Sequence, residues 1–275
     1  MIFNQASYQK NDHRDSSQNI EDCNLQSSSS SNFINKINFK ILTLFPEIFP
    51  GVLNFSITAN ALKRNIWSYQ AINIRDYACD SRKTVDDTPY GGSAGMVLKA
   101  DILANAIEKN LNSNIKKIIY FSPRGKVFNQ QIARELSLEK EIMMLCARYE
   151  GIDQRVIDEF EIEEISLGDY ILSGGEIACF AVIDAILRNI EGVLGTQESL
   201  TEESFGNNDN DEYSNLLEYP HYTRPAIWRN RKVPEVLLSG NHLKIKQFRY
   251  LQAQEITARI RPDLYQKKIT SKFDL

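Results

Sequence analysis

The chain has 275 residues, of which 42% are hydrophobic and 25% charged, the composition of a globular protein of one or two domains. No apolar run approaches the ~18 residues that a membrane span needs, which argues against an integral membrane protein. Four scattered cysteines and only three histidines argue against a disulfide framework or a structural zinc site and favour a cytoplasmic location.

Charge is unevenly distributed along the chain. From residue 221 to the end there are 12 Lys and Arg and 4 Asp and Glu, a net charge of +8. The whole chain has a net charge of −4, so the first 220 residues have a net charge of −12. A basic segment on an acidic body is typical of proteins that bind a polyanion. A solvated helical face would give the same charge, and the composition leaves both interpretations open.

Residues 1–37 are predicted to form a disordered tail. The segment is polar, rich in serine and without an apolar period, so it cannot bury enough apolar surface to order itself. It has neither the long apolar core of a secretory signal nor the acid-poor composition of a transit peptide.

Residues 38–194 predict an α/β domain with a mostly parallel sheet, because strand and helix patterns alternate. The predicted strands are 39–46, 69–77, 116–123, 141–147 and 162–168. One predicted helix follows the first strand and ends near residue 65. The other predicted helices span 99–110, 129–140, 151–160 and about 175–190.

The remaining chain divides into two predicted parts. Residues 195–220 are polar and acidic, with an Asn/Asp-rich centre, and predict an exposed, flexible linker. Residues 221–275, and 241–260 above all, predict a small helical domain.

Three predicted strands end in unusual loops, at residues 120–126, 146–153 and 167–176. Each loop combines glycine with aromatic or charged residues, and ligands of parallel sheets bind at the carboxyl ends of strands. The third loop matches no phosphate-binding glycine pattern and has no following lysine. Three such loops at one edge favour a ligand site over ordinary turns.

Several motifs make the chain resemble the bacterial tRNA (guanine-N1)-methyltransferases, which modify the guanine immediately 3′ of the anticodon. The similarity runs from about Phe39 to about Tyr265, and the motifs keep the family's order. They are "LFPEIF", "PYGGSAGMVL", "RYEGID", "LGDYILSGGE", "DAILRNIEGVLG", "YPHYTRP" and "VPEVLLSGNH".

The resemblance implies a knotted, SPOUT-type fold. In that fold three successive loops tie a deep trefoil knot around S-adenosylmethionine, and a flexible linker leads to a small helical domain that binds tRNA. The family is homodimeric, and each active site combines the knot of one subunit with the linker and C-terminal domain of the other. Periodicity alone does not indicate a knot, since chain topologies very rarely contain one.

The resemblance also implies a set of cofactor-binding residues. Their backbone groups would read the adenine edge, and the side chains of Leu167, Tyr170 and Leu172 would form apolar walls. Ala147 departs from the glycine that many relatives carry. The full set is Tyr120, Ser122, Pro123, Ala147, Tyr149, Gly151, Leu167, Gly168, Asp169, Tyr170, Ile171, Leu172, Gly174 and Gly175.

Two residues are candidates for catalysis. Arg188 follows Asp184 by four residues, the spacing of an intrahelical ion pair. The resemblance implies instead that its guanidinium stabilises charge on the guanine O6. Glu203 lies fifteen residues after Arg188, where the family has an aspartate that removes the N1 proton. Asp209 and Asp211 are the alternative bases.

Further residues are assigned by the resemblance or by charge. Glu150 matches a glutamate linked to a magnesium requirement, although bare sequence indicates only a loop carboxylate. The predicted tRNA contacts come from the basic segment, where cations bind phosphates and aromatic rings stack on unpaired bases. These residues are His221, Tyr222, Arg224, Arg231 and Lys244.

Two other functions compete with guanine methylation. One is a catalytically inactive RNA-binding relative, which would lack the arginine or the linker carboxylate. The other is a ribose 2′-O-methyltransferase of the wider knotted group, which would lack the linker with "YPHYTRP".

Overall fold

The computed structural model describes residues 37–194, 203–206 and 212–270. The predicted tail therefore lies outside the described residues, except for Ile37, which already belongs to the first strand. The alternative bases Asp209 and Asp211 also lie outside them.

A five-stranded parallel sheet forms the centre of residues 37–194. This confirms the predicted α/β class with a parallel sheet. The strands of the sheet are β1 (Ile37–Thr43), β2 (Trp67–Asn73), β5 (Ile115–Val127), β6 (Glu141–Leu145) and β7 (Glu163–Ser166). Their order across the sheet is β2-β1-β6-β5-β7. Two strands outside it, β3 (Asp86–Asp87) and β4 (Val97–Leu98), form a short antiparallel pair.

Helices cover both faces of the sheet, and the sheet separates the hydrophobic core into two clusters. Side chains alternate between the faces along a strand, so Phe39 packs in one core and Leu42 in the other. The first core contains α1 (Ser56–Lys63), α3 (Gln130–Ser137) and α5 (Glu176–Leu187). The second contains α2 (Ala100–Asn110) and α4 (Gln154–Glu159).

Strand β5 is longer than predicted. The sequence predicts its end at Pro123, but pairing with β7 resumes at Lys126. Both Phe121 and Lys126 align with Ile165, so residues 122–125 bulge out of the ladder. A bulge tolerates a proline because the extra residues make no ladder hydrogen bonds.

The C-terminal segment is mainly helical. Its longest helix starts after Asn241, whose side chain accepts a hydrogen bond from the Lys244 amide, a standard N-cap. The elements are β8 (Ile227–Trp228), β9 (Arg231–Lys232), α6 (Glu235–Leu238), α7 (His242–Ile260) and α8 (Pro262–Thr270). Among the described residues no helix is long and apolar enough to span a membrane.

Part of the predicted linker is packed rather than exposed. Tyr213, Leu216 and Tyr219 are buried and form a small cluster with Ala253 of α7. The Leu217 amide also donates a hydrogen bond to Thr257 Oγ1 at 2.8 Å. The acidic composition of the whole segment hides these apolar residues, so the prediction of an exposed segment is wrong for them.

Candidate active site

The three loops predicted from the strand ends meet at one edge of the sheet. Strands β6, β5 and β7 are neighbours, so their carboxyl ends lie side by side. The Gly175 amide donates to the carbonyl of Ala147 at 3.0 Å, which joins the second loop to the third. The Leu98 amide donates to the carbonyl of Gly151 at 3.0 Å, which fastens the second loop to β4.

These loops enclose a cavity of about 240 Å³, close to the lower end of volumes typical of small-molecule sites, about 300 Å³. Thirteen of the fourteen predicted cofactor residues line it. The exception is Asp169, which is exposed outside the lining. The lining also contains Phe121, Arg148, Glu150, Ile165, Ser166, Ser173 and Ala178.

Gly151 shows why one of these loops needs glycine. Its φ is +109°, and a Cβ there would lie 2.5 Å from the Tyr120 hydroxyl. Any side chain would be strained there and would clash with the hydroxyl of Tyr120, which lines the cavity. Burial raises the pKa of Tyr120, so its hydroxyl stays protonated at neutral pH and can donate a hydrogen bond.

An ion pair between the buried Glu176 and the partly buried Arg148 stabilises the cavity wall. Glu176 is 2% exposed and accepts a hydrogen bond from Thr43 Oγ1 at 2.9 Å. Its other oxygen lies 2.9 Å from Arg148 Nε, an ion pair without hydrogen-bond geometry. The Arg148 guanidinium also donates to the carbonyl of Ser173 at 3.2 Å and lies over the Phe45 ring. This cluster joins the second loop to the third, and sequence reasoning missed it.

The cavity suits a ligand without phosphate. Arg148 is the one Lys or Arg in its lining, and its charge is already balanced by Glu176. The walls include Leu167, Ile171 and Leu172 beside backbone groups of the three loops. Apolar walls with a few backbone donors and acceptors fit an adenosyl group, whose base is flat and hydrogen-bonds at its edge.

Arg188 and Glu203 form a separate pair. Arg188 Nη2 donates to both carboxylate oxygens of Glu203, at 2.7 and 2.8 Å. Their side chains are 37% and 34% exposed. The alternative pairing of Arg188 with Asp184 is therefore wrong. Neither member of the pair lines the cavity.

Hydrogen bonds hold the short segment that carries Glu203. Ser204 Oγ accepts a hydrogen bond from the Glu218 amide at 2.9 Å, and the Phe205 amide donates to the Leu216 carbonyl at 2.7 Å. Arg134 of α3 donates to the carbonyl of Gly206. The segment is thus fixed between the sheet domain and the packed part of the linker.

The structure gives the predicted magnesium role of Glu150 no support. Glu150 lines the cavity, but no group of three or more His, Cys, Asp or Glu that could hold a metal ion exists among the described residues.

The predicted tRNA contacts are all accessible. His221 lies 2.8 Å from a carboxylate oxygen of Glu218, and Tyr222 is 47% exposed. Arg224, Arg231 on β9 and Lys244 in the first turn of α7 are also exposed. Their accessibility permits contact with a polyanion.

Comparison with known proteins gives a consistent family. The family model described as "tRNA (Guanine-1)-methyltransferase TrmD" matches residues 37–267. Three curated relatives are each named "tRNA (guanine-N(1)-)-methyltransferase". The relative from Wolbachia pipientis is 50% identical over 86% of this chain and 98% of its own length. Those from Pelagibacter ubique and Rickettsia akari are 50% and 51% identical over 83% and 82% of this chain, and over 96% and 95% of their own.

Proposed function

This chain belongs to the tRNA (guanine-1)-methyltransferase family, and we propose that it transfers a methyl group from S-adenosylmethionine to N1 of the guanine immediately 3′ of the anticodon. The observation that carries the proposal is the Arg188–Glu203 pair, at 2.7 Å, in a chain that also holds a cavity suited to an adenosyl group. N1 methylation of guanine needs one group of each kind: a base for the N1 proton and a cation for O6.

The chemistry assigned to the pair is as follows. Guanine N1 is protonated at neutral pH, so Glu203 takes its proton and keeps it. The Arg188 guanidinium stabilises the negative charge that develops on O6. N1 then forms a bond to the methyl carbon as the carbon–sulfur bond of the bound sulfonium breaks. The methyl donor supplies the electrophilic carbon, and proton removal and charge stabilisation are assigned to residues of this protein.

Cofactor binding is assigned to the cavity of the three loops. Leu167, Tyr170 and Leu172 form its apolar walls, and Ala147 adds one methyl group to the lining. The deep trefoil knot remains a proposal, supported by the three loops on adjacent strands of one parallel sheet. A magnesium requirement through Glu150 remains a prediction from the family alone.

We infer a homodimer, because the proposed catalytic pair and the proposed cofactor cavity do not meet within one chain. The Arg188–Glu203 pair does not line the cavity of its own chain. An apolar surface is also exposed beside α5: Ile177 is 58% exposed, and Val52 and Phe55 are more exposed still. A second copy would cover such a surface and bring its Glu203 towards the cavity.

The remaining proposals concern partner, organisation and location. The segment 221–275, with its net charge of +8, is assigned to tRNA binding as a small domain. The cysteines of the described residues, of which Cys79 is exposed, are free thiols. Free thiols and a tRNA substrate favour the cytoplasm.

Methyl-transfer assays on matched tRNA transcripts test the function. The transcripts carry guanosine or inosine next to the anticodon, or guanosine with a 2′-O-methyl group already on its ribose, and products are identified by nucleoside analysis. We expect N1-methylguanosine from both guanosine transcripts. A methylated ribose in the product of the first transcript would favour the 2′-O-methyltransferase, and RNA binding without methyl transfer would favour the inactive relative.

A further inference from the structure

A second cavity lies in the C-terminal segment, away from the three loops. Its volume is about 410 Å³, within the range of sites that hold drug-sized ligands, about 300–1,000 Å³. It opens between the segment after the linker and the helices α6 and α7. It is lined by Tyr219, Pro220, His221, Tyr222, Thr223, Arg224, Ala226, Val233, Leu237, Leu238, Ile245 and Arg249. We call it the C-terminal cavity.

The side chains of the C-terminal cavity combine aromatic rings with aliphatic groups. The Tyr219 and His221 rings lie 5.1 Å apart between centroids, and Tyr222 is half exposed beside them. Leu237 of α6 and Ile245 of α7 supply aliphatic surface. Such a lining suits a flat, unsaturated ring that loses its water on binding.

The charge of the C-terminal cavity is positive. The exposed Arg224 contributes its guanidinium group, in a segment whose net charge is +8, while the guanidinium of Arg249 already lies 4.8 Å over the centre of the Tyr219 ring. No Asp or Glu lines the cavity, and the nearby Glu218 carboxylate is engaged by His221. The ligand therefore has a flat apolar part and carries negative charge, which is the chemistry of a nucleobase on a phosphate backbone.

We propose that the C-terminal cavity holds one unpaired base of the bound tRNA, a base other than the methylated guanine. This inference rests on the proposed function for the identity of the RNA. It goes beyond phosphate contacts, because a base in a cavity fixes the position of the RNA along the protein as well as its affinity. The cavity thus sets the register that brings the target guanine to the methyl donor.

The test pairs protein variants with abasic tRNA. Single unpaired nucleotides of the transcript are replaced one at a time by abasic ones, and dissociation constants are measured for the wild type, Tyr222→Ala and Tyr222→Phe. At one position, base removal should weaken binding about tenfold in the wild type and in Tyr222→Phe, since both keep the ring. In Tyr222→Ala the same removal should cost almost nothing, because the base has already lost its partner.

A charge variant and a methylation readout complete the design. Arg224→Ala should weaken binding of intact and abasic tRNA by the same factor, as a phosphate contact does. If base removal costs the same in Tyr222→Ala as in the wild type at every position, or couples to Tyr222 only at the target guanine, the proposal is wrong. A coupled position in a protein that methylates no guanine would instead overturn the proposed function and leave the cavity assigned to RNA.

Discussion

At the scale of single residues, Glu203 is the side chain on which the proposed catalysis depends. The family pattern has aspartate there, but the intrinsic pKa values of the two acids are close, about 3.9 and about 4.3. The chemistry therefore tolerates the exchange, and geometry decides whether the base works. The longer side chain places both oxygens within hydrogen-bonding distance of Arg188.

We expect Glu203→Gln to lower the single-turnover rate of methyl transfer by at least about 10²-fold, the usual contribution of a general base. Affinities for S-adenosylmethionine and tRNA should stay nearly unchanged, because the amide keeps the size of the carboxylate. The matched control is Glu191→Gln, an exposed acid near the end of α5. Near-normal turnover in Glu203→Gln, with loss of turnover in Asp209→Asn or Asp211→Asn, would identify that aspartate as the base instead of Glu203.

The buried pair of Glu176 and Arg148 gives a second residue-scale prediction. Glu176→Gln removes the charge that holds Arg148 against the third loop, so the cavity wall loosens. We expect the dissociation constant for S-adenosylmethionine to rise about tenfold while tRNA affinity stays constant, as measured by calorimetry and filter binding. Rescue should follow in Glu176→Asp, which restores the charge.

Its control is an exposed pair of the same kind. Lys117 and Glu163 form a surface ion pair, and such pairs contribute about 0–1 kcal/mol at most. Glu163→Gln should therefore leave cofactor affinity unchanged. Equal effects of Glu176→Gln and Glu163→Gln on cofactor affinity would remove any special role from the buried pair.

The sequence could predict the cavity residues because they are contiguous within three loops and match family motifs. It could not predict the contact between Thr43 and Glu176, which spans 133 positions. Such a contact depends on which strands become neighbours, and no local pattern carries that information. The sequence does not predict the role of Arg148 for the same reason, because its ion-pair partner Glu176 comes close only in the folded chain.

At the scale of elements, alternation of strand and helix patterns predicted the five sheet strands and the main helices. It missed the pairs β3–β4 and β8–β9, because strands of two residues are too short to show a period. It also ended β5 at Pro123, since a bulge cannot be told from a strand end in one sequence. Composition misjudged residues 212–220 because the buried Tyr213, Leu216 and Tyr219 lie among polar and acidic residues.

The basic C-terminal segment carries the element-scale prediction. Neutralising Arg224, Arg231 and Lys244 with glutamine removes three proposed phosphate contacts. The slope of log affinity against log salt concentration should become less steep by about 2 to 3, because binding releases fewer counterions when three phosphate contacts are lost. The measurement is a titration of tRNA binding between low and physiological salt.

A matched triple variant controls for net charge alone. It neutralises three exposed lysines of the sheet domain: Lys63, Lys109 and Lys116. This control should keep the wild-type slope. If the C-terminal variant also keeps it, tRNA contacts the protein elsewhere.

At the scale of the whole molecule, the sequence indicated a parallel sheet but not its order. Strand β1 lies between β2 and β6, and β5 returns between β6 and β7. This order brings the three glycine-containing loops to adjacent strand ends, which the chain order alone does not require. How two chains would combine is equally beyond a local pattern, since it depends on surfaces such as the one around Ile177.

The assembly of the active site gives the last prediction. Two inactive variants are co-expressed with different tags, and the mixed dimer is purified through both. One variant is Gly151→Val, whose side chain is strained at φ +109° and strikes the Tyr120 hydroxyl, so its cavity cannot bind the methyl donor. The other is Glu203→Gln. If the cavity of one chain works with Glu203 of its partner, the mixed dimer has one intact site of two and about half the wild-type activity. Each variant alone should be inactive and remain folded in thermal denaturation. If cavity and Glu203 act within one chain, every site in the mixed dimer carries one defect and activity stays at the level of the single variants.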